Sequence, residues 1–174
     1  MILEQNECLA NPTKNIVLFQ GLPKQDKLEL ITQKLTELGI QKIIPFESNF
    51  TIAKPNSHKI ERMVRISQEA CKQCGRSKPL IVEQPIKFNK MLELLSDFDI
   101  VLFANETNKQ ITDINFDNYN NIAIIVGSEG GFSAEEIQKL INNNVTQVGL
   151  GQRILRTETA SIILGGLVSY LTKN

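Results

Sequence analysis

Two short segments of this chain hold more chemistry than their surroundings explain. The stretch "LGQRILRTETA", residues 150–160, sets Arg153, Arg156, Thr157, Glu158 and Thr159 directly before "SIILGGLVSYL", which is apolar on almost every side. Such a helix is buried on more than one side, and charge at its start is costly unless it is paired or used. One reading pairs Arg156 with Glu158 or Glu129 as an internal brace; the other gives the cluster to a site. The second segment, "GSEGGFSAEEI" at 127–137, brings Gly127, Gly130 and Gly131 together around Glu129, after an apolar run. Ser133 and Glu136 then form a capping box that starts a helix.

The glycine loop is a poor phosphate cradle. It lacks the P-loop lysine and following hydroxyl, misses the dinucleotide spacing, and carries a carboxylate that repels anions. Bare backbone beside Glu129 suits a flat ligand with polar edges and some positive charge, such as a nucleoside bearing a sulfonium and an amino acid tail. The alternative is a tight turn whose glycines serve only positive-φ positions.

These segments need elements to hold them. Short β-branched runs at 15–19, 42–46, 80–83, 99–104, 122–127 and 146–151 are too short for helices and read as strands. Amphipathic stretches alternate with them: Leu28, Ile31, Leu35 and Leu38 form one stripe that Gly39 ends, and helices are expected over 57–74, 87–97, 134–143 and 159–172. This alternation predicts an α/β domain with a mostly parallel sheet flanked by helices, because parallel neighbours need crossovers. The polar stretch 105–121 reads as a surface loop. In open α/β sheets ligands gather at the carboxyl ends of strands, which is where the glycine loop falls.

A length of 174 residues with 41% hydrophobic content fits one domain. No run of eighteen apolar residues occurs, and the first residues have neither a basic head nor an apolar core, so a cytoplasmic protein is expected. Net charge is zero, yet seven bases face two acids between Lys54 and Lys78, and three bases face seven acids over 79–120. One face is therefore suited to phosphates, or simply to water. Cys71 and Cys74 make a C-x-x-C at a helix end, where the dipole disfavours a thiolate, and Cys8 and His58 have no metal-like spacing. No metal is expected.

Four blocks, "QKLTELGI" (33–40), "EACKQCGR" (69–76), "GSEGGFSAEEI" (127–137) and "LGQRILRTETA" (150–160), occur in order over about 15–174. Together they closely resemble the bacterial 16S ribosomal RNA (uracil-N3)-methyltransferase family of the SPOUT superfamily. The resemblance implies S-adenosylmethionine as methyl donor, N3 of a uridine in small-subunit ribosomal RNA as acceptor, a homodimer, and a C-terminal trefoil knot, which periodicity alone never suggests. It implies a cofactor pocket lined by Leu102, Phe103 and Ala104, by Gly127, Ser128, Glu129, Gly130 and Gly131, and by Leu150, Gly151, Ile154, Leu155, Arg156 and Thr157. Residues 1–14 are then a remnant of a linker or N-terminal extension, and 15–174 the methyltransferase domain without the family's N-terminal RNA-binding barrel, as a fragment or a reduced form. Ser128 and Gln152 stand where the family has prolines, and Asn49 and Phe50 where it commonly has a Glu-Arg pair.

On this reading Arg156, with Arg153, stabilises negative charge developing on the uracil oxygens, and Glu129 or Glu158 accepts the proton or orients the arginine. Lys72 and Arg76 contact RNA phosphates, and Lys34 either pairs with Glu37 or lines the RNA side. Two rivals are a ribose 2′-O-methyltransferase of the same fold and a non-catalytic RNA-binding or assembly module.

Overall fold

The computed structural model describes residues 13–53, 56–107 and 109–173. Most of the expected N-terminal remnant, with Cys8, and the basic Lys54 lie outside the described residues. Among the described residues seven strands form one sheet: β1 (Asn15–Gly21), β2 (Lys42–Glu47), β3 (Ile81–Val82), β4 (Ile86–Lys87), β5 (Ile100–Ala104), β6 (Asn121–Val126) and β7 (Thr146–Val148). Their order is β3-β2-β1-β6-β5-β7, with β4 also pairing β2, and every strand pairing is parallel.

Among the described residues five α-helices cover the sheet: α1 (Lys27–Glu37), α2 (Ser57–Cys74), α3 (Phe88–Leu94), α4 (Ala134–Asn142) and α5 (Thr157–Leu171). The two-residue period of the strands divides the core. Ile16, Leu18, Leu102, Ile122 and Ile124 pack with residues of α1, α2 and α5. Val17, Phe19, Phe103, Ala123 and Ile125 pack with residues of α3 and α4.

Local rules account for the helix ends. Asn56 caps α2 by accepting from the His58 N–H, and Gly75 closes that helix in the left-handed region. The Ser133–Glu136 capping box forms as the sequence indicates, and the almost fully buried Glu136 also accepts the Asn49 N–H at 2.8 Å. The helix expected over 87–97 is shorter, because its last residues tighten into a 3₁₀ turn at Leu95–Asp97.

The polar stretch 105–121 is not only surface. Ile111 and Phe116 reach the core at 4% exposure each, and a 3₁₀ turn spans Ile111–Asp113. Two isolated apolar residues have no period to reveal them. This stretch also touches the chain beyond β7: Asn105 donates its N–H to Val148 O, Gly149 donates to Lys109 O, and a Cβ on Gly149 would lie 2.0 Å from Thr107 O.

Helix α5 packs on α1, where a Cβ on Gly165 would lie 2.6 Å from Leu35 Cδ2. The lack of a side chain at Gly165 thus lets α5 seat the Leu35 side chain directly against its backbone. Ile163 and Tyr170, on the same helix, remain exposed.

Candidate active site

Strands β6, β5 and β7 are consecutive neighbours running out to one edge of the sheet, and the segments that follow their carboxyl ends wall one cavity of about 710 Å³. Asn105 and Glu106 follow β5. The glycine loop, Gly127 to Phe132, follows β6. Leu150 to Arg156 and the first turn of α5 follow β7.

Phe103, Ala104, Gly127, Ser128, Glu129, Gly130 and Gly131 line this cavity, as the resemblance implied, and so do Leu150, Gly151, Arg153, Ile154, Leu155, Arg156 and Thr157. Leu102 does not; strand alternation turns it into the core, where it is 0% exposed. Glu158 is not part of the lining either. Arg153 and Arg156 are exposed and form no ion pair among the described residues, so the burial expected of them does not occur in the free chain. No Arg156 brace to Glu129 or Glu158 forms.

Those two carboxylates converge on Lys27 instead. Its Nζ lies 2.8 Å from Glu129 Oε1 and 3.4 Å from Glu158 Oε2. The Lys24 N–H also donates to both Glu129 oxygens. Burial pushes the Glu129 carboxyl up, but the Lys27 hydrogen bond and the backbone N–H groups of Glu129 and Lys24 outweigh it and leave the group below its ordinary range. The Glu129 hydrogen bond in turn raises the Lys27 ammonium, with Glu158 adding to the effect. A carboxylate held ionised in this way is a weak proton acceptor.

A second link between the same loops lies inside. Gln20 is the one polar side chain on the α5-facing side of β1, in register with Ile16 and Leu18, and it is 0% exposed. Its Nε2 donates to Gly21 O at 2.9 Å and to Thr157 Oγ1 at 3.0 Å, with Gly127 O at 3.4 Å. Its Oε1 accepts from Ser161 Oγ, and Thr157 Oγ1 donates to Gly127 O. The glycine loop and the start of α5 are thereby tied to β1.

The cavity suits a ligand with flat and polar parts. Gly131 (φ 66°) and Gly151 (φ 103°) both line it, and a Cβ at either would meet nothing within 4 Å, so ligand atoms can approach bare backbone. Ser128 Oγ is buried without a hydrogen-bond partner, which leaves one polar atom of the lining unsatisfied. The opening turn of α5 contributes N–H groups that have no partner within the helix, a setting that favours a carboxylate.

The expected RNA contacts are placed unequally. Arg76 donates through Nη1 to Thr36 O at 2.7 Å and Ile40 O at 2.9 Å, capping the end of α1, and burial lowers its pKa. One of its terminal nitrogens is thus committed to the protein. Lys34 pairs with Glu37 at 2.9 Å and lines a groove between α1 and α2 shared with Asp26, Glu29 and Glu69. Lys72 is exposed. Among the described residues no cluster of three or more His, Cys, Asp and Glu side chains is placed to hold a metal. No helix there is long and apolar enough to cross a membrane.

Sequence reading passed over Gln20, Lys27, Asn105 and Glu106. Strand alternation marks Gln20 as a polar residue on a buried face, and Asn105 and Glu106 directly follow a strand end. Nothing local marks Lys27, whose two partners lie more than 100 residues away.

Comparison with known proteins places the chain in a family. Residues 10–169 match the family model described as an RNA methyltransferase domain. The ribosomal RNA small subunit methyltransferase E of Bacillus subtilis (strain 168) is 34% identical over 97% of this chain and 70% of its own length. The protein of that name from Rickettsia conorii is 37% identical over 84% of this chain and 61% of its own. The crystal structure of a ribosomal RNA small subunit methyltransferase E from Neisseria gonorrhoeae, bound to S-adenosyl methionine, superposes with a TM-score of 0.83 at 30% identity, covering 91% of this chain and 66% of that one. A parallel α/β sheet with its cavity at the ends of β5, β6 and β7, matched in sequence over most of its length, makes this chain a member of the RNA methyltransferase domain family to which the ribosomal RNA small subunit methyltransferase E proteins belong.

Proposed function

We propose that this chain transfers a methyl group from S-adenosylmethionine to N3 of a uridine in 16S ribosomal RNA. The observation that carries the reading is the convergence of the glycine loop and the arginine-bearing loop on one cavity at the ends of neighbouring parallel strands. When bound, the cofactor supplies a methyl group on a sulfonium, which an in-line displacement moves without a metal.

The chain's own part is positioning and charge. Gly127 to Gly131 and Leu150 to Leu155 hold the flat and apolar parts of the ligand, and the first turn of α5 receives its carboxylate. Glu106, which lines the cavity and forms no ion pair among the described residues, provides an acceptor for hydroxyl groups. Arg156, aided by Arg153, stabilises the negative charge that appears on the uracil oxygens as N3 gives up its proton to solvent and takes the methyl, the sulfonium sulfur leaving as a neutral thioether. Glu129 and Glu158, held by Lys27, keep the loops in place. Lys72 contacts RNA backbone.

Two further features accompany the reading. The C-terminal segment threads a loop as a trefoil knot, a reading supported by the close backbone approach of Gly149 to Thr107. The exposed Ile163 and Tyr170 of α5 face a second copy of the chain in a cytoplasmic homodimer. The test is a methyl-transfer assay on small ribosomal subunits that lack the modification, followed by digestion to nucleosides. N3-methyluridine is expected; a ribose-methylated nucleoside, or no S-adenosylmethionine binding by folded protein in calorimetry, overturns the proposal.

A further inference from the structure

Phe50 is an aromatic side chain left 50% exposed, with Ile52 71% exposed two residues on. It is nevertheless held firmly. Thr51 donates its N–H to Ser48 O at 3.0 Å, and the Ser48 N–H returns a bond to Thr51 Oγ1 at 2.8 Å, closing a turn around it. Asn49 fastens that turn to the start of α4 through its N–H to Glu136 Oε1 at 2.8 Å and its Nδ2 to Ser133 Oγ at 3.0 Å. The turn rests on the glycine loop: a Cβ on Gly130 would lie 2.7 Å from Phe50 Cβ, and Gly130 lines the cavity.

Resting on the function proposed above, we infer that Phe50 is a stacking platform for an unpaired base of the RNA substrate beside the cofactor cavity. The ring is half exposed on a turn whose neighbouring residues Ser48, Asn49 and Thr51 are fixed by four hydrogen bonds. That arrangement favours a flat partner, and every base offers a π-face. The charge on the next element favours RNA over a protein partner: α2 begins at Ser57 and its first half carries exposed Lys59, Arg62 and Arg65 against one exposed acid, Glu61.

The experiment compares wild type with Phe50→Ala, Phe50→Leu and Phe50→Tyr on unmodified small ribosomal subunits, reading subunit affinity, turnover and S-adenosylmethionine affinity separately. Stacking predicts a loss of subunit affinity of about tenfold in Phe50→Ala, no recovery in Phe50→Leu, recovery in Phe50→Tyr, and unchanged S-adenosylmethionine affinity in all three. Recovery by leucine, or a fall in cofactor affinity, assigns Phe50 to packing on Gly130 and overturns the inference. Unchanged subunit affinity in Phe50→Ala, or no subunit binding by wild type, overturns it too. Wild-type protein that binds subunits without methylating them removes the proposed activity, while the alanine-to-tyrosine comparison still decides the stacking.

Discussion

Gln20 Nε2 donates to Thr157 Oγ1 at 3.0 Å, joining residues 137 positions apart at the meeting point of β1, the glycine loop and the start of α5. Because Thr157 passes its own proton to Gly127 O, one amide holds both cavity walls. A buried amide is tolerated only when its partners are present. Replacing Gln20 with leucine keeps the bulk and removes every bond, so the unfolding free energy should fall by about 2 kcal/mol. S-adenosylmethionine affinity, measured by calorimetry well below the melting temperature, should weaken as well. Unaltered affinity in a destabilised Gln20→Leu protein would separate the network from the site.

Arg156 and Arg153 line the cavity without a carboxylate partner, so their charge is available to a substrate. Arg156→Ala should slow single-turnover methylation about 100-fold or more, the usual cost of removing a donor from a developing oxyanion. Cofactor affinity should change little. Full single-turnover activity in this variant would remove Arg156 from the mechanism.

Lys27 sets a pH dependence. The folded-state pKa of Glu129 lies below its ordinary value of 4.5, so its contribution to stability is present above that value and lost as pH falls through the lower folded one. Lys27 is raised above 10.5, so its contribution is present below that value and lost as pH rises through the folded one. Lys27→Met removes the main influence lowering Glu129 and leaves burial to push it up. Denaturant midpoints followed from about pH 3 to about pH 6 should show a smaller acid-linked loss of stability in the variant than in wild type. Superimposable acid profiles would contradict the ion pair.

Gly149 has no room for a side chain, since a Cβ would lie 2.0 Å from Thr107 O. Gly149→Ala should cost about 3 kcal/mol or prevent folding, because the obstruction is backbone that cannot rotate away. Gly151→Ala is a control with open space around the new methyl group but a positive φ, and its cost should be nearer 1 kcal/mol. Equal melting temperatures for wild type and Gly149→Ala would show that the two segments do not pass so closely.

Much of this molecule is written in local pattern. The two-residue and 3.6-residue periods determine the class, the principal strands and helices, and even the Ser133–Glu136 cap, because each depends on residues only a few positions apart. The glycine and arginine segments stand out for the same reason: their composition conflicts with the apolar elements beside them. Tertiary structure decided the remainder. It turned Leu102 into the core, gave Glu129 and Glu158 to Lys27 rather than to Arg156, spent Arg76 on the end of α1, and buried Ile111 and Phe116 from a polar stretch. Each of these outcomes is a choice among partners far apart in the chain, and the order and register of the strands make that choice.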